Sequence, residues 1–202
     1  MHNKMSFRIS LFLLTLSLPG LSSAQTTGKA LEPRIYSDTL EFKGTSADIY
    51  KHALDWITQT FKSASEVLEI QDPEQGVLLI KGQSIFQIFL REDTLEVPLH
   101  FTLSIRAMDN AYRYHIDDIF LNCYPGNPEI QIPFEILYQP KDLQQAHIRK
   151  TIHQYYPDIS ETESEALLQT LEMIYPQCRS KGEGNIRGII GLLTRYMHKQ
   201  AG

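Results

Sequence analysis

Apolar residues occupy every second position in the stretch from Leu95 to Phe120. The alternation breaks at Asp109-Asn110 and resumes on the same face at Tyr112. A period of two is typical of a strand with one buried face. A tight turn at the break predicts an antiparallel hairpin in which Ala107 lies opposite Tyr112. The sequence therefore predicts a sheet that is covered on one side only.

A helix is predicted before this hairpin. One stripe of side chains recurs at helical spacing behind Thr45 and Ser46, either of which can cap the helix through its hydroxyl group. The stripe consists of Ile49, Ala53, Trp56, Ile57 and Thr60. We expect Trp56 to be a core residue that packs against the sheet, rather than a ring that stacks on a ligand. Two short strands then surround a turn at residues 72–76, where Gly76 is expected to take a positive φ.

From residue 130 onward the pattern changes from strand to helix. Alternate apolar residues predict a strand over residues 130–138, and helical spacing follows. Ser160 and Glu163 form a capping-box pattern for a helix that we expect to end before Pro176. A final helix is predicted over residues 184–199, with an apolar stripe on one face. We expect this stripe to pack on its own domain, and peripheral contact with an anionic membrane is the weaker alternative.

Several short motifs occur in an order and spacing that resemble a known family. They are Gly44-Thr45-Ser46, Trp56, Asp72 with Gly76, Lys81-Gly82, and Tyr112-Arg113-Tyr114. Over about residues 38–120 the chain resembles an exported bacterial domain-of-unknown-function family with a TBP-like fold. The resemblance implies an α+β fold in which a curved antiparallel sheet has a helix packed on one face. This chain adds C-terminal helices to it.

The resemblance has limits as a guide to function. The family commonly has Gly in the turn where this chain has Asn110-Ala111, and Asn tolerates the positive φ that such a turn requires. The family has no accepted activity, so the resemblance implies no catalytic residues. A fold that resembles a DNA-binding protein does not imply DNA binding.

The first residues have the pattern of an export signal. Lys4 and Arg8 precede an apolar run of about ten residues, and small side chains lead to Ala24. The run is too short to cross a bilayer, which requires about 20 apolar residues. We therefore expect a signal peptide over residues 1–24, cleavage after Ala24, and a periplasmic or secreted protein. The remainder is expected to be a TBP-like α+β domain, residues 25–139, and a helical C-terminal extension, residues 140–202.

Charge restricts the class of partner. The formal net charge is −5, and removal of the leader with its two basic residues lowers it to −7. Binding to the phosphates of a nucleic acid requires a basic face. We therefore expect no nucleic acid partner.

The chain has two cysteines, Cys123 and Cys178. In an oxidising compartment a disulfide between them would close a long loop and stabilise the fold by about 4 kcal/mol on the chain-entropy model. Two buried free thiols, acting as small apolar side chains, are the alternative. Their spacing alone does not decide between the two states.

The motifs of common metal and cofactor sites are missing from the sequence. The histidines lack the HExxH spacing, there is no CxxC, and residues 182–188 do not fit GxGxxG. We expect no metal ion and no cofactor, and we assign no catalytic residues. Asp117 and Asp118 are expected on opposite faces of a strand, which would prevent them from acting as a pair.

The polar side of the predicted hairpin is the candidate binding face. It carries His100, Ser104, Arg106, Arg113 and His115. Arg106 is expected opposite Arg113, which is unfavourable unless the register differs or an anion lies there. The preferred hypothesis is an exported, non-enzymatic binding or structural module of the cell envelope with a protein partner. The alternative is an envelope hydrolase that uses the face around His100, Ser104 and His115, which a deep concave pocket would favour.

Overall fold

The computed structural model describes residues 31–61, 64–90 and 93–200. Within these ranges a six-stranded antiparallel sheet has the order β1-β5-β4-β3-β2, and β6 pairs with β5 beyond the end of β1. The strands are β1 Tyr36–Glu41, β2 Leu68–Asp72, β3 Val77–Leu90, β4 Asp93–Met108, β5 Ala111–Leu121 and β6 Ile132–Pro133. The expected signal peptide, residues 1–24, lies outside the described residues.

The central hairpin of β4 and β5 has the predicted register, with Ala107 opposite Tyr112 and Ile105 opposite Tyr114. The turn places Asn110 at a φ of 62°. Asn adopts this left-handed conformation more readily than most residues because its short polar side chain can hydrogen-bond locally. Gly76 also has the expected positive φ, 67°, in the turn between β2 and β3. Both turns were predicted correctly.

Helix α1, Ser46–Thr60, covers one face of the sheet. The Thr45 hydroxyl caps it by accepting a hydrogen bond of 3.2 Å from the backbone N–H of Asp48. Trp56 is 2% exposed, and its ring meets that of Phe61 edge to face with a centroid distance of 5.9 Å. Trp56 is therefore a core residue, as expected. A single turn, α2, follows at Ala64–Val67.

Residues 130–138 do not form the predicted strand. Strand β6 contains only Ile132–Pro133, and a 3-10 helix follows at Phe134–Tyr138. Proline has no N–H to donate to a neighbouring strand and fixes its own φ, so pairing with β5 stops there. Phe134, Ile136 and Leu137 are nevertheless buried. Burial of this segment was read correctly from the sequence, but its conformation was not.

The two helices predicted within residues 160–199 form a single helix in the structure. Helix α3 spans Lys141–Tyr155, and α4 runs from Glu161 to Gln200 through Pro176. A helix-interior proline costs about 3 kcal/mol, which is why an end was predicted there. Packing outweighs that cost, since buried residues continue at helical spacing across the proline. They include Leu171, Ile174, Cys178, Gly182, Ile186, Leu193 and Met197.

Helix α4 packs against β3, α1 and α3, and residues 31–202 cluster as one compact unit. The helix begins with the predicted capping box, in which Glu163 N donates to Ser160 Oγ at 3.3 Å. Further along, Gln177 covers the free edge of β3. Its Nε2 donates to the carbonyl of Phe89 at 2.9 Å, and its Oε1 accepts from the N–H of Phe89 at 3.0 Å. The side-chain amide thus stands in for a strand partner and protects this edge.

Candidate functional site

One face of the sheet lacks a helical cover, and we call it the open face. It consists of the outward side chains of β1, β3, β4 and β5, which are exposed or half-buried and alternate with the buried core residues. All five candidate residues lie on it. His100, Ser104 and Arg106 project from β4, and Arg113 and His115 project from β5.

At one end of the open face, His100 stacks on Phe120. The two rings are nearly parallel, at 9°, with centroids 4.7 Å apart. Burial lowers the pKa of His100 below its ordinary value, and a hydrogen bond with Asn122 acts in the opposite direction. The neutral ring is therefore favoured, and it extends the aromatic surface of Phe120.

A β-bulge changes the faces of the two aspartates. The pairing shifts between His100 and Thr102, and Asp118 has a φ of 48°. Asp117 consequently contacts His115 on the open face, while Thr102 Oγ1 lies 3.5 Å from an oxygen of Asp118 on the same side. The prediction that the two carboxylates point to opposite faces was wrong. A bulge inserts one residue and so breaks the period of two on which the prediction rested.

The middle of the open face contains two members of a catalytic triad pattern. His115 Nε2 lies 3.1 Å from Asp117 Oδ2, and Ser104 pairs directly with His115 across the strands. Within the described residues, however, the Ser104 hydroxyl makes no hydrogen bond with His115. A serine nucleophile requires that bond for its activation. The geometry here is that of cross-strand polar pairing.

At the other end, Arg106 lies opposite Arg113, in the predicted register. Arg113 turns away from its neighbour, because its Nε donates a hydrogen bond of 3.0 Å to Thr39 Oγ1 on β1. The like charges are thereby separated without a change of register. A bound anion is therefore not needed to explain how Arg106 and Arg113 occupy opposite positions.

A cleft beside the open face was not foreseen from the sequence. It has a volume of about 500 Å³ and lies where the edge of β5 is exposed between the ends of β1 and β6. Its lining includes Arg34, Asp117, Asp118, Phe120 and Glu135. The bulge and the irregular segment before β1 create it, and neither has a periodic signal. This cleft and four others in the described part of the chain are not lined by any of the five candidate residues of the open face.

Among residues 31–61, 64–90 and 93–200, no three His, Cys, Asp or Glu side chains are placed so that they could hold a metal ion. No helix in these ranges has the length and apolarity needed to cross a membrane. The two cysteines, far apart in the chain, are both fully buried and are neighbours in the core.

These features define an open-faced antiparallel α+β domain with C-terminal helices. Residues 36–121 match a family model described as a domain of unknown function (DUF4468) with TBP-like fold. This match confirms both the family resemblance and the predicted fold class. No curated protein matches the chain.

Two solved structures are similar to part of the chain. One is a DUF4468 family protein from Bacteroides ovatus, which is 11% identical with a TM-score of 0.43 and covers 50% of this chain and 60% of that one. The other is a TBP-like protein from Parabacteroides distasonis, which is 17% identical with a TM-score of 0.42 and covers 51% of this chain and 67% of that one. The similarity thus spans about 60% of the length of the first of these proteins.

The motif Gly44-Thr45-Ser46, which contributed to the family resemblance, has a structural role. The N–H of Ser46 donates to Asp109 Oδ1 at 2.8 Å, and the N–H of Asn110 donates to the carbonyl of Gly44 at 2.9 Å. The neighbouring turn at Gly76 is joined to the same end of β4 by a backbone hydrogen bond of 2.8 Å. These bonds attach the start of α1 to the β4–β5 turn and hold the Gly76 turn against the end of β4, so folding rather than catalysis explains the motif.

Proposed function

We propose that this protein is an exported, non-enzymatic binding module of the cell envelope, and that it binds a protein partner at the open face of its sheet. The proposal goes beyond the family match, because that family has no assigned activity.

The uncovered sheet face is the observation that carries the proposal. His100 and Phe120 present a stacked aromatic pair. On β3, Ile85 is 57% exposed and lies opposite Pro98, two residues from His100. Polar side chains surround this area along β4 and β5. Aromatic and apolar side chains inside a polar rim are typical of surfaces that bind proteins.

The charge of the chain favours a protein over a nucleic acid. The formal net charge is −5, and the open face combines Arg106 and Arg113 with Asp117 and Asp118. Nucleic acid binding depends on a concentrated positive field along the phosphate backbone. A mixed set of charges instead provides complementarity for a specific protein surface.

The hydrolase alternative has weaker support. His115 and Asp117 are in contact, but the Ser104 hydroxyl is not bonded to His115. A sheet face also lacks a pair of converging N–H donors for an oxyanion, because the strand N–H groups pair within the sheet. None of the clefts described above is lined by Ser104 or His115, so little at this pair excludes water or holds a substrate in position.

Support for export comes from the amino-terminal sequence. The basic, apolar and small-residue regions of residues 1–24 follow the order of a signal peptide. Fractionation of cells that express the tagged full-length chain tests this part of the proposal. The expected product lies in the periplasm or medium and begins at Gln25; a cytoplasmic product that keeps Met1 would overturn it.

Site-specific photo-crosslinking in living cells tests the binding face. A photoreactive phenylalanine analogue replaces Ile85, which is exposed on the open face beside His100, and in a control chain it replaces Lys150, which is exposed on α3. We expect a discrete adduct from position 85 that is absent from position 150. Mass spectrometry of the adduct would then identify the partner.

Either of two results would overturn the binding hypothesis. Equal adducts from both positions would indicate non-specific contact, and no adduct from either would leave the open face without a partner. Screening of ester and peptide substrates with the wild-type protein and Ser104→Ala then tests the alternative. Hydrolysis by the wild type that is lost in Ser104→Ala would establish the hydrolase.

A further inference from the structure

The fold brings the two cysteines of the chain together. Cys123 follows the end of β5, and Cys178 lies near the middle of α4. Both residues are 0% exposed free cysteines in the structure, and they are neighbours in the core. The two cysteines are separated by 54 residues in the sequence, so their proximity is a product of the tertiary fold.

The surroundings of the pair are apolar and closed. Tyr124 and Tyr175, the aromatic neighbours of the two cysteines, are 3% and 2% exposed. The neighbouring Cys178 thiol and, to a smaller extent, burial raise the pKa of the Cys123 thiol well above its ordinary value. Thiol–disulfide exchange requires a thiolate and access to the sulfur atom. Neither requirement is met once the protein has folded, so the redox state of the pair is set while the chain folds.

We propose that Cys123 and Cys178 form an intramolecular disulfide when the chain folds in the presence of a disulfide oxidant, and that this bond fastens the end of β5 to α4. One cysteine thiolate attacks the external disulfide, forms a mixed disulfide and releases one thiol. The second cysteine thiolate then displaces the other thiol. Overall, two cysteine thiols and one external disulfide give one protein disulfide and two small-molecule thiols.

Refolding of the full-length protein tests the geometry directly. The denatured, reduced chain is refolded in glutathione buffer with the disulfide form in excess, and free thiols are then alkylated under denaturing conditions. We expect no alkylation and a non-reducing peptide map in which the Cys123 and Cys178 peptides are linked. Two alkylated cysteines, or linkage only between molecules, would overturn the proposal.

Thermal unfolding supplies a second readout that needs no substitution in the core. The chain-entropy model predicts that the oxidised protein melts about 10 °C above the reduced protein. The double variant Cys123→Ala with Cys178→Ala is the control, and it should have the same Tm whether it is refolded under oxidising or reducing conditions. Equal Tm values for the oxidised and reduced wild type would contradict a bond between β5 and α4.

Alkylation of the native reduced protein tests the burial argument. Because neither sulfur is exposed, alkylation should be at least about 100-fold slower than in the denatured protein. Similar rates would show that the pair is accessible and that its state is not fixed at folding.

Export is part of the proposed function, and it is tested separately from the disulfide by determining the redox state of the two cysteines in protein purified from cells. A disulfide in that protein supports folding in an oxidising compartment. If the disulfide forms in glutathione but the cellular protein contains free thiols, the disulfide geometry stands and the export proposal fails.

Discussion

Gly182 and Gly188 lie on the same helix, α4, but have different surroundings. A Cβ atom added at Gly182 would lie 2.7 Å from Cε2 of Phe134 and 3.3 Å from Cδ1 of Leu99, whereas nothing lies within 4 Å at Gly188. Phe134 and Leu99 are both 0% exposed, so neither side chain can turn aside into solvent. Gly182 is therefore a point of close approach between α4, the 3-10 helix and the sheet.

The two alanine substitutions should have effects of opposite sign. Each removes the conformational disadvantage of glycine in a helix, which is about 0.5–1 kcal/mol. At Gly188 this gain acts alone, so Gly188→Ala should raise the free energy of unfolding by that amount. At Gly182 an overpacking cost of about 1–3 kcal/mol opposes it. Gly182→Ala should therefore lower the free energy of unfolding by up to about 2.5 kcal/mol.

Urea unfolding, followed by far-UV circular dichroism, measures both effects on the full-length protein. The midpoint should rise for Gly188→Ala and fall for Gly182→Ala at an unchanged m value, because the surface exposed on unfolding is the same. The difference between the variants isolates the steric cost, since the helix-propensity gain is common to both. If Gly182→Ala is as stable as Gly188→Ala, α4 does not approach Phe134 as closely as described, and the packing argument is wrong.

Two further predictions concern α4 and α3. Gln177→Ala should lower the free energy of unfolding by about 0.5–1.5 kcal/mol, measured by urea unfolding, because the backbone of Phe89 loses both hydrogen-bond partners. Amide exchange at Phe89, measured by hydrogen-exchange mass spectrometry, should become faster. The control Gln169→Ala, at an exposed position of the same helix, should change neither quantity. Burial, with the nearby charge of Lys150, lowers the pKa of His147 below 6.5. The unfolded chain then binds the proton more readily, so the free energy of unfolding should fall as pH decreases from about 7 to 5. This decrease in the free energy of unfolding should be smaller in His147→Gln. If the dependence of the free energy of unfolding on pH is the same in the variant, His147 is not the group responsible.

The β4–β5 hairpin shows why much of the fold could be predicted from the sequence. An alternation that continues across a short turn allows only one register without exposing the core side chains. Asn110 could be identified as the positive-φ residue, because few residue types accept that conformation. The residues of the open face could also be predicted, because side chains between the core positions of a strand point to the opposite face of the sheet.

The failures arose where tertiary contacts override local pattern. Pro176 predicted a helix end, yet the buried stripe on either side of it keeps α4 continuous. The bulge at Asp118 changes which carboxylates share a face, and Asp is one of several residues that tolerate such a φ. The contact between Cys123 and Cys178 depends on where α4 crosses the end of β5. No local signal in the sequence specifies that crossing.

The residues that hold the fold together also lie apart from the proposed binding surface. The bonds from Gly44 and Ser46 to the β4–β5 turn lie at one end of the sheet. His100, which stacks on Phe120, lies eight residues from Met108, the last residue of β4, a separation of about 26 Å at the usual rise of a strand. Even Arg113, which is both a motif residue and an open-face residue, is engaged in attaching β1. A shared motif can therefore preserve this fold while the surface around His100 differs between proteins. The proposed binding specificity should therefore be sought at that surface rather than at the motif.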